Sequence, residues 1–173
     1  MIPPVTALHL RGVPADDPEV EEPARVEVVL VRLGGSRYAL PMDAVAEVGR
    51  PPAVTRVPGL PEWAAGVGNW RGRVLAVIDL RRLLGEPDLP LDRRARLAVL
   101  RRGTVAVGLL VEVVEGTRML DPAGIEPPLT HLPASATDLL VGQVTDAEGP
   151  CGLLDLDAVF RLPDALPRAR RTA

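Results

Sequence analysis

The 173-residue chain carries 20 basic and 23 acidic side chains, for a net charge of -3 and a sequence pI near 5.4. That balance excludes a nucleic-acid footprint, which needs clustered positive charge to displace counterions from phosphates. One cysteine and two histidines exclude an internal disulfide and a Cys/His zinc site.

Hydrophobic residues make up 47% and charged residues 25%, the balance of a globular domain long enough to bury a core without metal or disulfide staples. Aromatic residues are only 2%, so the core is expected to be Val, Leu and Ala. No basic segment followed by an apolar one opens the chain, and no apolar run approaches the ~20 residues that cross a bilayer. The cytoplasm is the expected compartment, with no direct membrane insertion.

In chain order, residues 1–24 combine Pro3, Pro4, Pro14, Pro18 and Pro23 with Asp16, Asp17, Glu19, Glu21 and Glu22. This composition solvates better than it packs and predicts a disordered arm. Val26 to Leu33 then reads as a strand, Gly34, Gly35 and Ser36 as a turn, and Tyr38 to Leu40 as the returning strand. Further strands are predicted at residues 73–78, 96–100, 105–113 and 151–154, separated by Pro- or Gly-rich turns. Asp79 precedes Leu80, Leu83 and Leu84, and Asp155 precedes Leu156, Val159 and Phe160. A capping Asp followed by i, i+3, i+4 apolar spacing predicts a short helix at each place. Residues 163–173, with Arg168, Arg170 and Arg171, are expected to be a flexible tail.

The chain also resembles itself. Gly66 stands thirteen residues before Asp79, and Gly142 thirteen before Asp155, with Val77-Ile78 answering Leu153-Leu154. The segment 38–45 is similarly matched by 107–114. Two related halves, about 26–85 and 95–162, joined by a polar linker over 85–94, are therefore expected, in a mainly β fold.

Candidate chemistry is sparse. Cys151 lacks a neighbouring base, since His9 lies in the arm and His131 in a proline-flanked loop, so a buried inert thiol is expected. Residues 66–72 are glycine-rich but lack the Lys and Ser/Thr of a phosphate loop and the last glycine of a dinucleotide fingerprint. Arg71-Gly72 instead reads as a tight turn with a guanidinium at its tip, which fits either a solvated turn or a clamp on a carboxylate.

Three segments together resemble a CheW-like domain: 37–48 (RYALPMDAVAEV), 54–61 (VTRVPGLP) and 66–80 (GVGNWRGRVLAVIDL). The resemblance continues through 107–114 and 153–156 and covers about 25–162. Trp70 departs from the usual Leu, and Glu112 from a common Asp. The resemblance implies two small five-stranded β-barrel subdomains. It further implies a non-catalytic adaptor without cofactors, which joins the regulatory domain of a CheA-type histidine kinase to the cytoplasmic tip of chemoreceptors. Val45, Glu47, Val48 and Arg71 would form the receptor-binding face. The competing expectation is a ligand-binding or enzymatic β-barrel with a pocket between the halves.

Overall fold

A computed structural model describes residues 25–128 and 132–165. The arm 1–24 with His9, His131, and the tail from 166 lie outside the described residues. Eleven strands occur among those described: β1 Val26–Leu33, β2 Ser36–Pro41, β3 Val45–Gly49, β4 Val54–Thr55, β5 Ala64–Trp70, β6 Arg73–Ile78, β7 Arg96–Arg102, β8 Val105–Val111, β9 Val113–Leu120, β10 Leu140–Asp146 and β11 Gly149–Leu154. Three short helices accompany them: α1 Arg81–Leu84, α2 Ala134–Thr137 and α3 Leu156–Arg161. A 3-10 turn continues α3 over Leu162–Ala165, so helical structure runs past the expected boundary at 162. No helix of the described residues is long and apolar enough to cross a membrane.

The strands form two sheets, ordered β10-β11-β2-β1-β9 and β3-β7-β8-β6-β5-β4. The second has six strands where five were expected, and no backbone pairing among the described residues closes either into a barrel. The repeat is present, yet the halves 26–85 and 95–162 do not each form a sheet. Strands β1 and β2 of the first repeat pair with β9 to β11 of the second, while β7 and β8 of the second join β3 to β6 of the first. The two parallel pairings, β2 with β11 and β6 with β8, are the seams of this exchange.

Alternation along the strands divides the apolar residues among three clusters. In β1, Val29, Val31 and Leu33 face the core shared by both sheets, while Val28 and Leu30 face the concave side of their own sheet. In β7, Ala98 and Leu100 enter the shared core, and Leu97 and Val99 the concave side of the second sheet. A strand buried on both faces reads as a continuous apolar run. Cys151 lies in the first sheet's own cluster, and burial pushes its thiol up to about 11, so it is protonated and inert at neutral pH.

Both repeat glycines mark a β-bulge, with register shifts at Ala64/Gly66 and Leu140/Gly142. Each admits a neighbouring backbone. A Cβ on Gly66 would overlap the Thr55 carbonyl oxygen, and one on Gly142 would sit 2.6 Å from that of Glu126.

The linker between the repeats is docked onto the sheets. The Tyr38 hydroxyl, pushed above its ordinary range by burial and by Glu86, donates to the Glu86 carboxylate at 2.7 Å. Arg81, only 4% exposed, donates to Asp79, meets Asp88 at 3.2 Å, and donates to Glu112 at 3.4 Å and to the Leu89 carbonyl. Glu112 in turn accepts the backbone N–H groups of Gly34 and Gly35 at 3.0 and 3.1 Å.

Asp155 caps α3 as expected, accepting from the N–H groups of Asp157 and Ala158. Asp79 differs: Leu80 is the capping residue of α1, and Asp79 accepts one N–H, from Arg81, whose guanidinium is its main partner. The two substitutions should therefore diverge. Asp155→Ala should cost about 0.5–2 kcal/mol as a lost cap, and Asp79→Ala about 2–3 kcal/mol because it removes the main partner of a buried guanidinium, leaving it to Asp88, Glu112 and the Leu89 carbonyl. Chemical denaturation of both variants checks this, and equal losses would restore the simple capping account.

Candidate functional site

The predicted site residues lie on β3 and on the turn between β5 and β6. The turn is a two-residue hairpin loop with positive φ at Arg71 (49°) and Gly72 (82°), a backbone that suits a twisted ladder. Asn69 fixes it by accepting the Gly72 N–H at 2.8 Å. Arg71 thereby projects from the tip, 74% exposed, with its Nε 3.0 Å from Oε2 of Glu47.

Four strands separate β3 from β4 in the ladder of the second sheet, with β5 next to β4, so this contact requires the sheet to curl. Trp70 makes the closure. Its ring packs against Gly49, where a Cβ would fall 2.5 Å from the indole, and its Nε1–H donates to Glu47 at 3.2 Å. The Arg71 guanidinium lies 5.9 Å from the same ring's centroid. Glu47 is thus held from two sides within the fold. The sequence reading missed this role of Trp70; its only signal was the small Gly49 opposite.

A register shift between Val45 and Glu47 divides the four residues between two faces. Residues opposite one another in an antiparallel pair share a face. Glu47 stands opposite Val99, which faces the concave side, whereas Val45 and Val48 stand opposite Leu100 and Ala98, which face the shared core. Val45 packs partly against that core, and Val48 is 43% exposed. The structure brings Glu47 and Arg71 together at one rim and leaves Val45 and Val48 on the reverse of the same edge strand.

The corresponding rim of the first sheet has the opposite arrangement of charge. There the strand β9 carries the base, Arg118, and the β10–β11 hairpin the acids, Asp146 and Glu148. Arg37, 5% exposed, lies beneath them and binds Asp146 through both terminal nitrogens, at 2.8 and 3.2 Å, and Glu115 and Glu148 at 3.3 and 3.0 Å. Two ends built on one repeat therefore differ in the placement of their charges.

Comparison with known proteins matches residues 27–164 to the CheW-like domain model. The chain belongs to the CheW-like domain family. It is 35% identical to Protein FrzA of Myxococcus xanthus over 136 residues, covering 78% of this chain and 85% of FrzA. Protein PilI of Pseudomonas aeruginosa is 40% identical over 85 residues, 49% of this chain and 48% of PilI, so that match spans about half of the relative. The chemotaxis protein CheW of Klebsiella aerogenes is 28% identical over 134 residues, 78% of this chain and 81% of that one. The crystal structure of the scaffolding protein TtCheW from Thermoanaerobacter tengcongensis superposes with a TM-score of 0.69 at 25% identity, covering 79% of this chain and 88% of that one.

The groove between the two sheets, of about 390 Å³, is the place where the competing ligand-pocket reading would need convergent polar groups. Among its acids, Asp155 is occupied as a helix cap, and Asp157 is paired with Arg102. Arg102 also lies over the Phe160 ring at 5.5 Å. Among the described residues no group of three or more potential metal ligands occurs.

Proposed function

We propose that the chain is a non-catalytic coupling adaptor of chemotaxis-type signalling, which joins the regulatory domain of a CheA-type histidine kinase to the cytoplasmic tip of chemoreceptors. It acts in the cytoplasm and reaches receptor arrays through these partners. The observation that carries the reading is the family match over 27–164, which includes both repeats. The rim on β3 supports it physically. Glu47 and Arg71 are partly exposed, oriented by Trp70 and the hairpin, and so lose little freedom on binding. Charges of this kind add little to stability and act mainly in choosing the partner and its register.

Mixing the purified full chain with a kinase regulatory domain and a receptor tip fragment tests the proposal by size-exclusion chromatography with light scattering. The expected result is a ternary complex that needs the chain. A chain that binds neither component would overturn the reading.

A further inference from the structure

The rim that holds Glu47 and Arg71 carries more positive charge than that pair uses. Arg73 stands opposite Trp70 at the start of β6, and Arg101 lies two residues beyond Val99 on β7, on the face that Glu47 shares. Both are exposed, and among the described residues neither has an acidic side chain within 4.0 Å. Glu47, the acid at this place, is already engaged by Arg71 and Trp70.

The chain itself supplies a complementary segment close by. Residues 1–24 carry five acids, Asp16, Asp17, Glu19, Glu21 and Glu22, against the single base Arg11. They join the fold at β1, where Val28 pairs with Pro41. Pro41 and Asp43 line one groove with Arg101 and Arg102, so the arm enters on the side where β7 ends. The acidic run lies three to nine residues before Arg25, a reach of roughly 10–30 Å at ~3.3 Å per residue.

We propose that residues 16–22 dock on the arginine rim formed by Arg71, Arg73 and Arg101 and cover the Glu47–Arg71 pair. The arm is then an intramolecular competitor for whatever binds that rim. The docking stands on reach and charge alone; the competition rests on the receptor-facing role proposed above.

A spin label on Ala15→Cys in the full chain tests the docking without any partner, because Cys151 is buried and its thiol protonated. Paramagnetic broadening of amides at 71–73 and 101–104 is expected at about 0.01 M salt and should vanish at about 1 M, where the screening length falls from about 30 to about 3 Å. Arg73→Glu with Arg101→Glu should abolish it at low salt. Broadening at the tail arginines instead, or none on the rim, would overturn the proposal. So would broadening seen only when labelled and isotope-enriched chains are mixed, since that outcome assigns the rim to another copy's arm.

The competition is read separately. Neutralising the five acids to Asn and Gln should tighten receptor-tip binding by about two- to ten-fold, as expected on removing a weak competitor held at millimolar effective concentration. Rim broadening without that gain would retain the docking and remove the receptor from this rim.

Discussion

Replacing Arg37 with Met should destabilise the fold by about 2–4 kcal/mol without altering its architecture. Arg37 sits on β2 of the first repeat, directly opposite Cys151 of β11, and reaches Asp146, Glu148 and Glu115 of the second. It therefore fastens the seam at which the repeats exchange strands. A buried ion pair adds little net stability when complete, but removing one member leaves the others uncompensated at a cost of about 3–5 kcal/mol in full burial. The range here is lower because Asp146 and Glu148 retain contact with water and Arg118 remains beside them.

The effect should also depend on pH. The Arg37 hydrogen bonds, then the Glu148 backbone N–H, hold the Asp146 carboxyl well below the usual carboxylate range, with Arg118 contributing. A carboxyl depressed in the folded state stabilises fully above its unfolded value of about 4 and loses that contribution as pH falls toward the folded value. Denaturation midpoints of the native chain and Arg37→Met should therefore differ most near neutrality and converge below about pH 4. A gap that stayed constant into acid would assign the loss to packing of the Arg37 stem.

Gly66→Ala should cost about 2–4 kcal/mol, while Gly142→Ala at the equivalent bulge costs about 1–2 kcal/mol. At Gly66 two effects add. Its φ of 142° is a conformation that L side chains rarely adopt, and its Cβ would overlap the backbone carbonyl of Thr55, which cannot swing aside as a side chain does. Gly142 meets a carbonyl as well, but its φ lies outside that region and its closest other neighbour is a side-chain methyl of Ile125. Gly149→Ala separates the terms, since φ there is 106° and the space is open. Urea denaturation of the three variants should rank Gly66→Ala as the most damaging; equal losses at Gly66 and Gly149 would leave the Thr55 contact without effect.

Legibility in the sequence followed burial. Residues 26–33, 73–78 and 96–100 read as strands because both faces enter cores, and the apolar run is nearly unbroken. β9 escaped notice: Glu115, Gly116 and Thr117 are exposed, and a mid-strand glycine reads as a turn. The glycine and Asp-Leu repeats revealed two related units, because a bulge and a helix start each demand a residue type. Nothing in them says which copy's strands pair, and the exchange stayed hidden. Asp79 was legible as a helix-start residue, whereas burial of the Arg81 guanidinium was not, since Arg in a first turn ordinarily faces solvent. Glu47 and Arg71 are 24 positions apart in the chain and meet only because the sheet curls. Family resemblance, not spacing, brought them together beforehand.

The most direct measurement is receptor-tip binding by Arg71→Glu, Arg71→Gly and Glu47→Arg, beside melting temperatures and binding to the kinase regulatory domain. Arg71→Gly is the cleanest arm, because glycine suits the positive φ and removes the side chain without straining the turn. Glu47→Arg also removes the acceptor of the Trp70 N–H and should lose about 1 kcal/mol of stability. The account predicts that receptor affinity falls about tenfold or more in all three variants, with kinase binding kept and melting unchanged for the Arg71 variants. Unchanged receptor affinity throughout, or equal loss of both partners with a lowered melting point, would contradict it.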